Sequence, residues 1–330
     1  MRQLRELTRL RPVALAGVCL ALALAGCGGD GEEPTVRVAP DQSGRISKLE
    51  KRKQRLERQL KAQEKVAAAA AKEKTAEVGG DDSVNSILAG QPGSAGLVIG
   101  APGRGGPDLS GGSFATGDAW STIKVPIAER VLEDFGGPSG ISASQQANIT
   151  SAITLSDNDA AAALFGDLER EHGGLAPASE AVGEVLRRAG DSETTISTVG
   201  RGSFSSYGQT DWSLANQFKY MAALAGGCIG NSAGRSYLLG QMAAVGGSDT
   251  FGLGSVGFPA KWKGGWGPGT DGKYLVRQMG VMEVDGKQVV VAMAAIPDDG
   301  TFESGMTMLS DIARAAASRL ADQVSGPTGC

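Results

Sequence analysis

Ser121-Thr122-Ile123-Lys124 opens an apolar segment, Val125 to Leu132, whose spacing predicts a helix. A serine and a lysine three apart at a helix start share one face, one turn apart. That places an amine within reach of a hydroxyl, and a serine nucleophile needs a base. Histidine is a poor candidate for that base. The chain has one, His172, which follows a charged helix beside Gly173-Gly174 and reads as an exposed loop residue rather than a triad member.

Outward from this stretch the pattern is mixed. Ala95–Ile99 reads as a short apolar strand, and Gly-rich loops follow up to Asp118. Helical segments are expected at Ser121–Phe135, Ser142–Leu155, Asp157–His172, Ala178–Ala189, Ser213–Ala225 and Ala233–Val245. Then the period changes. Ala260–Gly265, Tyr274–Val284 and Gln288–Ile296 read as strands, and Asp285-Gly286 between the last two is a hairpin signal. Met306–Val324 closes as an amphipathic helix. One early strand, a helical block, a late meander and a terminal helix predict an α+β domain. Its antiparallel sheet, flanked by helices, joins the first and last segments, and the helical block forms a subdomain of its own.

Two further short elements follow Ser121 in order. Ser156-Asp157-Asn158 stands at a helix start after the apolar Ile149–Leu155, and Lys263-Gly264-Gly265 lies on a strand followed by another strand. With Ser121-x-x-Lys124, they resemble the S-x-x-K, S-D-N and K-T-G elements of the penicillin-recognising serine hydrolases, the class A β-lactamases and D,D-peptidases. The resemblance spans about Ala95 to Val324. It implies the β-lactamase/transpeptidase-like fold and acylation of Ser121 by an amide or lactam, with Lys124 as base. For that Lys124 must be neutral part of the time, through desolvation or the nearby charge of Lys263. Ser156 would pass a proton to the leaving nitrogen. Asn158 would bind a substrate peptide group through its amide, while Asp157 reads as a helix cap. The resemblance implies an oxyanion hole from the N–H groups of Ser121 and Trp266, with Gly265 beside it. It also implies that Arg277 holds a substrate carboxylate; a surface arginine on an edge strand is the other reading.

The pattern breaks in three places. Gly264 stands where the hydroxyl of K-T-G would be. Ser121 and Ser156 are closer in sequence than in typical class A enzymes, so a wall of the cleft is expected to be missing. Glu193 lies at about the right distance for the glutamate that activates the deacylating water, but in the wrong context, and Thr194 to Gln209 holds no carboxylate. The expected behaviour is acylation with poor deacylation. A non-catalytic binding lipoprotein of the same fold is the alternative, and a structural lipoprotein whose tether does the work is a third.

The N-terminus reads as an export signal, residues 1–26. Arg2, Arg5, Arg9 and Arg11 precede the apolar Val13–Leu24, and Leu24-Ala25-Gly26-Cys27 resembles a lipobox in which Cys27 is lipidated. Residues 27–82 read as a tether: a Gly/Pro/acidic stretch, then a charged helix from Ile46 to Val78 with a broken a/d pattern, either a spacer or a weak coil. The main domain is residues 83–330. The chain is thus expected outside the cytoplasm on a lipid anchor, with cell-wall peptide or a β-lactam as partner. An exported pair, Cys228 and Cys330, can form a disulfide or remain two thiols. The main domain is acidic, which argues against nucleic acid. One histidine and two free cysteines make no credible metal site, and no Walker or Rossmann order occurs in Gly100–Gly112, so no cofactor is expected. The sequence leaves the oligomeric state open.

Overall fold

The computed structural model describes residues 80–330, with Lys53 and Gln54 of a separate unit, residues 1–62, in helical conformation. The export signal, Cys27 and nearly all of the expected tether lie outside the described residues. Asp81, expected at the tether's end, instead caps the first helix, α1 (Asp82–Leu88), accepting a hydrogen bond from Ser83 N.

Five antiparallel strands form the sheet. In chain order they are β1 (Gly93–Gly100), β2 (Leu109–Gly112), then, after the helical block, β5 (Ala260–Pro268), β6 (Tyr274–Val284) and β7 (Lys287–Pro297). Their order across the sheet is β2-β1-β7-β6-β5, so the first strand pairs with the last, Gly93 opposite Pro297. β7 is central, and Val289 to Ala295 are buried without interruption, as a strand covered on both faces requires. Asp285 and Gly286 turn the β6–β7 hairpin with φ of 50° and 77°, the left-handed pair a two-residue turn needs. β5 is left at the edge.

The two faces of the sheet are covered by different helices. α8 (Phe302–Arg319) lies on one, where Gly305 meets Val276, and α6 (Leu214–Gly226) lies on the other, where Leu214 meets Gly96. Because successive strand residues face opposite ways, Val276 faces α8 while Arg277 faces α6. A small separate ribbon, β3 (Thr116–Asp118) paired with β4 (Asp211–Ser213), lies over that second face.

The helical block centres on α2 (Lys124–Asp134), which packs against α3 (Ala143–Thr154), α4 (Asn158–His172), α5 (Leu175–Arg188) and α7 (Ser232–Ala243). α2 is buried almost all round, from Lys124 through Glu129 to Leu132, and Pro126 fits in its first turn, where the N–H has no helical partner. Ser142 and Gln145 close a reciprocal capping box on α3. Asp157 caps α4 through a 2.8 Å bond from Ala160 N, the role expected of it. Gly173 ends α4 in the left-handed conformation.

Cys228 and Cys330 are joined, across 102 residues. A loop of that length is worth about 4–5 kcal/mol in the chain-entropy picture. The bond fastens the C-terminal segment, whose Thr328 N donates to Pro102 O and whose Thr328 Oγ1 accepts from Gly105 N.

Candidate active site

Ser121 sits in a tight 3-10 turn, Trp120–Ile123, that leads directly into α2. Trp120 enters it at φ 49°, a strained conformation for a bulky residue. The strain is accommodated by β5. A Cβ at Gly265 would lie 2.8 Å from Ser121 N, and one at Gly267 would lie 2.3 Å from the Trp120 ring. Only glycine at these two positions lets the turn press against the strand's backbone. The chain is also held from behind, where Ala119 N donates to Thr210 O at 2.7 Å. Ser121 is half-buried, and its N–H is among the first of the turn, which have no partner within it.

Lys124 and Lys263 converge on the Ser156 turn, and Lys124 lines the same cleft as Ser121. Lys124 is 2 % exposed and Lys263 is fully buried. Lys124 Nζ is within hydrogen-bond reach of three acceptors of the S-D-N turn, Ser156 O at 2.5 Å, Asn158 Oδ1 at 2.8 Å and Asp157 O at 3.2 Å. Ser156 itself is at φ 56°. Lys263 Nζ donates to Ser156 Oγ and to Gly264 O, both at 2.8 Å. Burial lowers the Lys124 pKa to about 8, with Asp157 and Asp249 pulling it back up. Burial, then the charge of Lys124, lower that of Lys263 to about 7. Both amines are thereby brought near neutral pH. The two like charges repel one another, so protonation of either amine disfavours protonation of the other.

No family model matches the sequence, and no curated protein sequence matches it. Solved structures do. A β-lactamase from Sphaerobacter thermophilus is 21 % identical, with 71 % of this chain and 93 % of that one aligned and a TM-score of 0.53. A class A β-lactamase from Mycobacterium abscessus is 17 % identical over 71 % of this chain and 96 % of that one, TM-score 0.54. An ancestral class A β-lactamase is 16 % identical over 71 % and 97 %, also at 0.54. The fold is that of the class A β-lactamases.

Within the β-lactamase fold, one expected site residue is placed elsewhere. Arg277 is on the correct strand, directly across from Gly265, but it is fully buried under the β3–β4 ribbon. Its guanidinium donates to Gly117 O, Asp118 O, Trp212 O and Gln217 Oε1, at 2.9 to 3.0 Å. A residue so enclosed cannot hold a substrate carboxylate; its role is to pin the ribbon to the sheet. Gly264 leaves no gap either. A Cβ there would come 3.3 Å from the Trp266 ring, which has settled over the position. Glu193 is drawn away, accepting a 2.9 Å bond from Asn216 on α6.

The cleft over Ser121 encloses about 570 Å³. Ser121, Lys124, Ser156, Asn158 and Trp266 line it together. Sequence reasoning missed the rest of its wall. Phe204 meets Trp120 edge-on with ring centroids 5.0 Å apart, and Arg201 lies over both rings. Tyr207 is buried against Phe165, and burial raises its pKa. Opposite, Trp266 stacks on Phe302 at 5.1 Å beside Tyr274. These residues carry no motif, and the Arg201–Tyr207 stretch has no periodicity to reveal it. Trp262, on the same strand as Trp266, is buried away from the cleft lining, with Nε1 donating to Asp249 O. His172 is not an exposed loop residue. It ends α4 and is bonded to Asp134 at 2.8 Å, at the far end of α2 from Ser121, roughly 15 Å along the helix. Among the described residues, no cluster that could hold a metal occurs.

Proposed function

We propose that this protein is a serine hydrolase of the acyl-enzyme type, acting on the amide carbonyl of a β-lactam or cell-wall peptide. The observation that carries the reading is the meeting of two buried, pKa-lowered lysines at the Ser156 turn, one of which, Lys124, lines the same cleft as Ser121. Ser121 Oγ attacks the carbonyl carbon and its proton passes to neutral Lys124 Nζ. The carbonyl electron pair moves to oxygen, toward the N–H groups of Ser121 and Trp266. As the C–N bond breaks, the leaving nitrogen takes a proton from Ser156 Oγ, which Lys263 replaces across 2.8 Å. The net effect moves one positive charge from Lys263 to Lys124. With pKa values of about 7 and about 8, that transfer is nearly level, within about 1–2 kcal/mol.

Release of the acyl group is the weak step. Asp159 is the carboxylate among the described residues of the cleft wall, and Glu193 is engaged by Asn216. Intact-mass measurement with β-lactams is expected to give one long-lived adduct that Ser121→Ala lacks. If no β-lactam or activated ester labels the wild type, the enzyme reading is wrong. The second reading, a binding protein that keeps the fold, is favoured by Gly264. It would be supported by calorimetric binding of muropeptides that survives Ser121→Ala with no adduct in either form.

The Leu24–Cys27 segment supports a lipid anchor at Cys27, outside the cytoplasm. In the expressing bacterium, Cys27→Ser should move the protein from the detergent phase to the aqueous phase of a phase-partition assay. Retention in detergent would rule the anchor out.

A further inference from the structure

Among the described residues of this cleft, every nearby cation is already engaged, while aromatic residues are abundant. The hydroxyl that a K-T-G threonine would offer is replaced by Gly264, with the Trp266 ring 3.3 Å from where its Cβ would stand. Arg277 is sealed under the β3–β4 ribbon. The cations nearest the cleft already have partners. Arg201 donates from Nε to Gln209 Oε1 at 2.9 Å and from Nη2 to Pro268 O. Lys263 is fully enclosed with Ser156 and Gly264, and Lys124 is held by three acceptors of the S-D-N turn. The one carboxylate in the described cleft wall, Asp159, is exposed and on the first turn of α4. It would repel a substrate anion. The exposed ring of Phe204 and the half-buried rings of Trp266 and Tyr274 offer apolar surface to the cleft.

We infer that the preferred acyl donor is a neutral, aromatic-bearing amide or ester with no free carboxylate beside the scissile bond. This rests on the acyl-enzyme reading and narrows its substrate class. An anion placed at the mouth of this cleft would meet serine hydroxyls, those of Ser203 and Ser205 among them, but no guanidinium or ammonium free of other partners to offset its lost hydration.

The test compares matched probes on the full chain in detergent: benzylpenicillin, its methyl ester, and p-nitrophenyl phenylacetate, with adduct formation on Ser121 followed by intact mass. The methyl ester should label at least about tenfold faster than the free acid, the scale of one charge-assisted hydrogen bond. p-Nitrophenyl phenylacetate should outpace p-nitrophenyl succinate. Asp159→Asn should narrow the acid–ester gap by speeding the acid alone. Equal rates, or a faster free acid, overturn the inference while leaving the acyl-enzyme reading intact. Failure of every probe to label Ser121 overturns both, and is a distinct outcome.

Discussion

Lys263 and Arg277 invite comparison. Both are cations on the β5–β6 hairpin, both face the helical side of the sheet, and both are fully buried. Burial lowers the pKa of each, to about 7 for Lys263 and about 9 for Arg277. Their fates differ because of what lies over them. The S-D-N turn reaches Lys263 with a hydroxyl that can exchange a proton. The β3–β4 ribbon reaches Arg277 with backbone carbonyls that can only accept. Position on a strand therefore did not decide function; the cover did.

The largest expected break is chemical. Lys263→Met should lower Ser121 acylation by about 10²–10⁴-fold, the usual contribution of a positioned proton donor. Its thermal stability should change little or rise, since a buried charge is replaced by a methionine of similar length. Comparable acylation in the variant would remove Lys263 from the mechanism. Arg277→Met should do the opposite. Four acceptors lose their donors, and stability should fall by about 3 kcal/mol or more. The acylation rate per folded molecule should hold. A stable Arg277→Met protein with lost acylation would restore the substrate-binding role that the structure denies.

A third buried charge sharpens the contrast. Glu129, on the same helix as Lys124, is 3 % exposed and accepts from Tyr220 Oη at 2.7 Å, while its other oxygen is buried without a hydrogen bond. Burial pushes its pKa up to about 7. A carboxyl raised in the folded state binds more protons folded than unfolded. Stability is therefore lost as pH rises from about 4.5 through about 7, and the penalty is complete above that, at roughly 3 kcal/mol. Glu129→Gln should raise the melting temperature at pH 8 and leave it nearly unchanged at pH 4. A gain of equal size at both pH values would contradict the assignment. The smallest effect concerns the Lys124–Lys263 pair: acylation should follow a bell with its maximum between about pH 7 and about pH 8, because the step needs one proton on the pair, absent from Lys124 and present on Lys263. A flat profile from pH 6 to 9 would exclude Lys124 as the base.

The same contrast explains what was legible in the sequence. Ser121, Lys124, Ser156 and Lys263 are readable because each is fixed by spacing and by its place at a helix start or on a strand. The β6–β7 hairpin and the Asp157 cap are readable for the same local reasons. Arg277 was misread because its cover, β3 and β4, consists of two three-residue strands, Thr116–Asp118 and Asp211–Ser213, too short to alternate. The aromatic wall of the cleft was invisible because Phe204 and Tyr274 meet Trp120 and Phe302 only in three dimensions. The glycines at 265 and 267 were legible as residues but not as clearances, which depend on where the Trp120 ring comes to rest.

The 2.8 Å bond from Lys263 to Ser156 joins the sheet to the helical block. Any motion that parts β5 from the Ser156 turn returns this amine to water, where its affinity for a proton is restored to the ordinary lysine value. A separation of these two elements would therefore take up a proton. Near pH 8, protons stabilise the separated form relative to the joined one, and the acidity of the medium acts as a ligand for the separated state.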